Sequence, residues 1–140
     1  MKTHQITARW NNDLNFTSIG PGGEIHMDGA SSTEGESGGL RPKALMLSSL
    51  AGCTGMDIVS LLKKMRAEVA DFKIEVTGEL TEAHPKYYHK VNLVYKFYGT
   101  NFKKDKIEKA IKLSEERYCG VLEMFRQFAK VTKEIKYIEV

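Results

Sequence analysis

The amino-acid sequence predicts an α+β fold, in which strands and helices follow one another without regular alternation. Period-two alternation marks three short strands in the first third of the chain. One long apolar helix follows, and then come two strands, a helical region and a last strand. A parallel α/β sheet would require strict alternation of strand and helix, so this order indicates α+β. Because 140 residues is the size of one domain, we expect residues 1–140 to form a single domain.

The N-terminal third is predicted to form an antiparallel meander. Apolar and polar residues alternate over residues 4–10, continue over 14–18, and return over 25–27. Asparagine-rich and glycine-rich turn signals separate these three segments. Residues 28–40 are rich in glycine and serine and have no periodicity, which predicts a loop before the long helix.

Residues 42–66 form the apolar stretch around which the rest of the chain is expected to pack. Between Lys43 and Lys63 the only charged residue is Asp57. Pro42 suits the first position of a helix, because its missing N–H has no partner there in any case. Apolar side chains run almost all the way round the predicted helix, so we expect it to be buried.

Two glycines stand in the middle of this predicted helix, on either side of a cysteine. Gly52 and Gly55 flank Cys53 and Thr54. Each glycine in a helix interior costs about 1 kcal/mol relative to alanine. We therefore expect another backbone or a ligand to approach the helix closely near Cys53.

Composition and charge exclude several classes of protein. Residues 44–62 are long enough to span a membrane, but serines, a threonine and an aspartate interrupt them, so a span is not expected. The first ten residues lack the apolar core of a signal peptide, which predicts a cytoplasmic protein. The net charge is only +3, with lysines interleaved among acidic residues, and this is not typical of nucleic-acid binding.

The second half of the chain is predicted to form two strands, two helices and a last strand. Residues 72–80 alternate, and a second strand is expected to bury one face. The residues of that face are Tyr87, His89, Val91, Leu93, Tyr95 and Phe97. Residues 103–130 show helical spacing, which Gly120 is expected to break just after Cys119. Residues 131–137 are predicted to form the last strand.

Cys53 and Cys119 are the main candidates for chemistry. They stand far apart in the chain, and each lies in a mostly apolar helical segment. A cytoplasmic location argues against a permanent disulfide, so they are either small core residues or a redox pair. A reactive thiolate requires a nearby cation or helix N-terminus. Arg41, Lys43 and Arg117 are the candidate cations, although helical spacing puts Lys43 about 15 Å from Cys53 along the axis.

Asp57 lies one turn beyond Cys53 on the same helix face and requires a partner if it is buried. It either hydrogen-bonds near the thiol or forms a structural ion pair, with a lysine of this helix or with a partner chain. We favour the ion pair, because a negative charge close by would raise the pKa of a thiol. The four histidines do not stand at ligand spacing with each other or with either cysteine, so no metal site is expected; they are His4, His26, His84 and His89.

The sequence resembles the OsmC-like family, which includes the organic hydroperoxide resistance proteins. The resemblance rests on SSLAGCTGMDIVSLLKKMR around Cys53, on SEERYCGVLEMF around Cys119, and on the order of elements. Met27-Asp28-Gly29 and His84-Pro85 give further support, and the resemblance covers nearly the whole chain. It implies an OsmC-like fold with antiparallel sheets packed around a long buried central helix. It also implies an intertwined homodimer with its active site near the dimer interface.

The resemblance further implies a thiol-dependent peroxide reductase that serves the oxidative stress response. By match of motif, Cys53 corresponds to the peroxidatic cysteine and Cys119 to the resolving cysteine. An organic hydroperoxide would oxidise Cys53 to a sulfenic acid, which Cys119 would convert to a disulfide. A small dithiol or a dihydrolipoyl protein would then reduce this disulfide. Metal, haem and flavin are not required.

The sequence departs from the well-studied peroxidase branch of the family in one respect. That branch uses an arginine from the N-terminal strands and a glutamate just before the cysteine helix. Here Lys43 stands ten residues before Cys53, and the N-terminal strands offer only Arg9. An alternative function is therefore a binding protein that holds a small apolar molecule or acyl group without turnover. A third interpretation is a redox sensor that forms the Cys53–Cys119 disulfide to alter partner binding.

Overall fold

A computed structural model describes residues 1–29 and 38–140, and its helices and strands occur in the predicted order. The elements are β1 (Thr7–Asn12), β2 (Asn15–Gly20), β3 (Gly23–Asp28), α1 (Pro42–Lys64), β4 (Asp71–Leu80), β5 (Tyr88–Gly99), α2 (Lys104–Leu113), a π-helical turn (Ser114–Tyr118), α3 (Gly120–Arg126) and β6 (Lys130–Glu139). This order confirms the α+β class. The chain divides into two compact units, Met1–Met46 and Leu47–Val140. The single-domain assignment stays a prediction.

The first unit contains the predicted antiparallel meander. Its sheet has the order β1-β2-β3, with Trp10 opposite Phe16 and Ile19 opposite Glu24. Leu40, which precedes α1, is joined to β3, because its N–H donates to the His26 carbonyl at 2.9 Å. Of the loop predicted over residues 28–40, residues 30–37 lie outside the described part of the chain.

Helix α1 begins at Pro42, as predicted, but it is not buried all round. Its buried residues follow one another every four positions along a single stripe; they are Leu50, Thr54, Ile58 and Leu62. Met56 and Val59, on the other side, are 76% and 54% exposed. The prediction of a fully buried helix is therefore wrong for a single chain. One sheet can cover only one stripe of a helix, so the remaining apolar surface is left uncovered by residues 1–29 and 38–140.

Within the described residues, α1 is also the one helix whose length and composition would allow it to cross a membrane. This is weak support for a span, because the core helix of a soluble protein passes the same test. The buried stripe of α1 belongs to the hydrophobic core of the second unit, together with side chains of β5 and α2. The helix thus packs into the core as predicted, but along one stripe only.

The two glycines of α1 differ in their surroundings. A Cβ at Gly55 would lie 3.2 Å from the Ile74 Cδ1 of β4, so the expected close approach occurs there, against a side chain of the sheet. A Cβ at Gly52 would meet no atom within 4 Å. Close packing among residues 1–29 and 38–140 therefore accounts for Gly55 but not for Gly52.

The second unit contains a mixed sheet of order β4-β5-β6. Strands β4 and β5 are antiparallel, as predicted, whereas β5 and β6 pair in parallel. The expectation of purely antiparallel sheets is therefore wrong for this unit. The reason lies in the connection: α2, the π-helical turn and α3 separate β5 from β6, and a helical crossover of this kind allows parallel pairing.

The buried face of β5 differs from the prediction at its start. Val91, Leu93, Tyr95 and Phe97 are buried as predicted, but Tyr87 is 50% exposed and Tyr88 is buried in its place. The pairing shifts here, since Lys90 faces Glu79 and Tyr88 faces Leu80. An extra residue in one strand moves the residues beyond it to the opposite face, which reverses the assignment of Tyr87 and His89.

Tyr88 packs directly over Gly78, and this contact yields a test of the sheet. A Cβ at Gly78 would lie 2.5 Å from Tyr88 Cδ1, so Gly78→Ala forces the ring to move. We expect this variant to lower the free energy of unfolding by about 1–3 kcal/mol in urea denaturation. Gly120→Ala is the control, because its Cβ would meet no atom within 4 Å. Equal stability of the Gly78→Ala variant and the parent would contradict the described packing.

Candidate functional site

The second unit brings Cys53 and Cys119 together. Their sulfur atoms and a carboxylate oxygen of Asp57 all lie within 4.8 Å of one another. Cys53 and Asp57 are one turn apart on α1, and Cys119 lies at the junction between the π-helical turn and α3. Both cysteines are free thiols. The two residues selected from the sequence thus share one site, although two strands (β4 and β5), helix α2 and the π-helical turn separate them in the chain.

A break in the helical path places Cys119. Its backbone is extended (φ −82°, ψ 96°), and its N–H donates to the Ser114 carbonyl at 2.9 Å across the π-helical turn. Its sulfur accepts the Leu122 N–H at 3.4 Å, so Cys119 caps the N-terminus of α3. The predicted break next to Gly120 is confirmed, one residue earlier than the glycine. The backbone therefore fixes the direction in which this sulfur points.

Thr54 holds the same sulfur from the side of α1. Its hydroxyl lies 3.3 Å from the sulfur of Cys119, with either atom as donor, and its side chain is fully buried. This residue was not singled out from the sequence. A signal was present, because Thr54 is the polar member of the buried stripe that it shares with Leu50, Ile58 and Leu62.

Asp57 hydrogen-bonds with Ser114 and does not form the ion pair that was favoured. The Ser114 hydroxyl donates to the Asp57 carboxylate at 3.1 Å. No ion pair with Asp57 occurs in residues 1–29 and 38–140. The prediction of a lysine partner from the same helix is therefore wrong, the hydrogen-bonding carboxylate near the thiols is present, and an ion pair with a partner chain stays a prediction. Ser114 is fully buried in the helical region, and as a polar residue at an apolar spacing it too could have been singled out.

The electrostatic surroundings keep Cys119 protonated near neutral pH. Burial raises the pKa of the Cys119 thiol, hydrogen bonds from Thr54 and the Leu122 N–H lower it, and the neighbouring Cys53 raises it again. Cys119 is only 4% exposed, whereas Cys53 is half-buried. Among the described residues, the groups that shift this pKa are Thr54, Leu122 and Cys53, and none of them is a cation. Of the two thiols, Cys53 is therefore the more accessible to solvent.

The cations suggested by the sequence lie as follows. Arg41 belongs to the first unit, where its guanidinium donates to the Asp28 carbonyl at 2.8 Å. Lys43 also lies in the first unit. The Arg117 guanidinium lies 6.0 Å from the ring centre of Tyr118. These positions do not establish a cationic partner for either sulfur.

Two further features surround the site. A pocket of about 170 Å³ opens beside Asp57, and its lining residues are Asp57, Ser60, Leu61, Lys64 and Tyr118. Tyr95 is fully buried, and its hydroxyl has no hydrogen-bond partner among the described residues. Burial raises the pKa of Tyr95, the charge of Glu115 and Cys119 in its ionised form raise it further, and Arg126 lowers it. The hydroxyl thus remains a neutral donor in the core that also contains Cys119.

The difference between the two thiols predicts the order of their alkylation. The thiolate is the nucleophile, so Cys119, buried and with a raised pKa, should react with iodoacetamide at least about tenfold more slowly than Cys53 at neutral pH. Raising the pH above the ordinary thiol value of 9.0 should speed the reaction of Cys119, since its thiolate fraction then grows. Peptide mass spectrometry of the reduced protein measures both rates. Faster labelling of Cys119 would contradict the described burial.

Comparison with known proteins identifies the family. A family model described as OsmC-like protein matches residues 34–134. The chain is 30% identical to Protein YhfA of Escherichia coli K12 over 135 residues, which cover 96% of this chain and 98% of that protein. A crystal structure of a hypothetical protein from Aquifex aeolicus VF5 is similar at 33% identity and a TM-score of 0.81, with 98% of each chain covered.

The organic hydroperoxide resistance protein OhrB of Bacillus subtilis shares the fold alone, at 19% identity and a TM-score of 0.67, over 96% of this chain and 98% of that one. The matched family residues include both cysteine motifs and the helix that carries Cys53. The chain therefore belongs to the OsmC-like family.

Proposed function

We propose that this protein reduces organic hydroperoxides, with Cys53 as the peroxidatic cysteine and Cys119 as the resolving cysteine. The observation that carries the proposal is the approach of the two sulfurs to within 4.8 Å, although they come from distant parts of the sequence. Membership of a family that contains organic hydroperoxide resistance proteins supports the choice of substrate.

In the first step, the Cys53 thiolate attacks the distal oxygen of the hydroperoxide. The O–O bond breaks, the sulfur is oxidised to a sulfenic acid, and the leaving alkoxide takes up a proton to become an alcohol. Cys53 is the better placed of the two cysteines for this step, because it is half-buried whereas Cys119 is 4% exposed. The pocket lined by Asp57 lies next to the site, since the Asp57 carboxylate is within 4.8 Å of the Cys53 sulfur.

In the second step, the sulfur of Cys119 attacks the sulfenic sulfur. A disulfide forms, and hydroxide leaves with the proton of the Cys119 thiol as water. A disulfide bond is about 2.05 Å long, so the sulfurs must approach by less than about 3 Å, which side-chain rotation can supply. The hydrogen bonds of Thr54 and the Leu122 N–H hold the Cys119 sulfur in place until then.

In the third step, a dithiol partner restores both thiols. A small dithiol or a dihydrolipoyl protein attacks the disulfide, forms a mixed disulfide, and leaves as its own cyclic disulfide. The balance of one cycle is one hydroperoxide and one dithiol consumed, with one alcohol, one water and one oxidised dithiol formed. The chemistry requires no metal, haem or flavin, and we place it in the cytoplasm.

We also propose that the protein acts as a homodimer. In the second unit, apolar side chains of α1, α3 and the π-helical turn stay exposed in the single chain; Met56, Val59, Tyr118 and Met124 are 76%, 54%, 53% and 63% exposed. A second copy of the chain would cover such a surface, as the OsmC-like family resemblance implies.

Light scattering after size-exclusion chromatography tests the dimer. We expect a mass twice the 15.8 kDa of one chain, and a shift toward one chain in the Met56→Glu variant, because a carboxylate at the interface is costly to bury. Leu80→Glu is the control, since Leu80 is a 40% exposed residue at the end of β4. A parent protein that elutes with the mass of a single chain would contradict the dimer.

The peroxide activity is tested by the consumption of cumene hydroperoxide with dihydrolipoamide as reductant. We expect turnover in the parent and only the background rate in Cys53→Ser. Cys119→Ser is the matched variant: it should consume about one equivalent, stop, and retain a sulfenic acid that dimedone labels. Turnover by Cys53→Ser at the parent rate would overturn the proposal. A parent that keeps both thiols and carries a co-purified ligand would favour the alternative of a binding protein.

A further inference from the structure

We propose that the reduced protein binds one thiophilic divalent cation, of the zinc class, through the sulfurs of Cys53 and Cys119 and the carboxylate of Asp57. The three donor atoms lie within 4.8 Å of one another. Zinc binds sulfur at about 2.3 Å and carboxylate oxygen at about 2.0–2.2 Å, so the donors of one tetrahedral ion lie about 3.5–3.8 Å apart. Small side-chain rotations are enough to close the observed spacing.

The chemistry of the donors selects the ion. Two thiolates are soft ligands that favour zinc or cadmium, whereas magnesium and calcium require oxygen ligands. The single carboxylate completes a set of three protein ligands. Three ligands leave the fourth tetrahedral position open for water or another small ligand. The site therefore fits an exchangeable ion rather than a closed structural zinc site.

Hydrogen bonds outside the donor set hold each ligand in orientation. The Ser114 hydroxyl donates to one carboxylate oxygen of Asp57 at 3.1 Å. The Leu122 N–H donates to the Cys119 sulfur at 3.4 Å, and the Thr54 hydroxyl lies 3.3 Å from it. Metal ligands in proteins are typically oriented by such outer contacts.

Asp57 is the residue that the proposed peroxide cycle leaves without a role. Disulfide chemistry requires only the two sulfurs, and a carboxylate beside a thiolate is repulsive. A divalent cation would offset this repulsion, because the two thiolates and the Asp57 carboxylate would each be attracted to it. Sequence spacing gave no sign of the site, since the histidines take no part in it and Cys119 joins it only through the fold.

The cation and the disulfide exclude one another, because both use the same two sulfurs. This consequence rests on the proposed peroxide chemistry, whereas the binding itself does not. Oxidation of the loaded site by one hydroperoxide and two protons would give the disulfide, one alcohol, one water and the released cation. Bound zinc would therefore protect the thiols and slow the peroxide reaction, and peroxide would release zinc.

The test uses the reduced, metal-free, full-length protein and no peroxide. Cadmium is titrated while the ultraviolet thiolate-to-cadmium absorption is followed, and zinc affinity is measured against a coloured chelator. We expect one ion per chain in the parent and at least about tenfold weaker binding in Asp57→Asn, which keeps the acceptor for Ser114 but loses the charge. Glu82→Gln, an exposed charge change in the β4–β5 connection, should bind as the parent does.

The double variant Cys53→Ser/Cys119→Ser measures any binding by surface histidines. X-ray absorption at the zinc edge of the parent gives a second readout that does not depend on the folding of a variant. Two sulfur ligands with the remaining ligands oxygen or nitrogen are expected. Absence of the thiolate–cadmium band, a coordination shell without sulfur, or equal affinity of parent and Asp57→Asn would overturn the proposal. Peroxide turnover of the metal-free protein is measured in a separate assay. The metal site and the peroxide reaction can therefore be refuted independently of one another.

Discussion

The packing of one stripe of α1 into the core of the second unit is the constraint on which the site depends. Leu50, Ile58 and Leu62 bury this stripe together with side chains of β5 and α2. The stripe fixes the rotation of the helix about its axis, and so determines where Cys53 and Asp57 stand. Thr54 lies within the stripe and contacts the Cys119 sulfur, which links the packing of the helix directly to the chemistry.

The sequence predicted the elements well because their signals are local. Alternation, glycine-rich turns and Pro42 identified the strands and the start of α1, and Gly120 identified the break next to Cys119. Contacts between distant segments left no such signal. The parallel pairing of β6 and the shifted face at Tyr88 depend on tertiary contacts and on one extra residue in a strand.

In the candidate site, too, local features could be predicted from the sequence and contacts between distant segments could not. Both cysteines could be selected from their motifs, but their approach could not be deduced from positions so far apart in the chain. A lysine of the same helix was the wrong choice of partner for Asp57 within the chain, because a serine from the π-helical turn donates to its carboxylate instead. The burial of α1 was overestimated because apolar composition does not show which side of a helix the rest of the chain covers.

The approach of the two sulfurs is the central claim, and the mass of the intact protein tests it most directly. Reduced, metal-free protein is mixed with one equivalent of cumene hydroperoxide, quenched by acid within seconds, and weighed. We predict a loss of about two hydrogens, loss of both free thiols, and a single peptide pair that joins Cys53 to Cys119 within one chain. Survival of both thiols, or a disulfide that joins two chains instead, would contradict the claim that one chain supplies a complete redox pair.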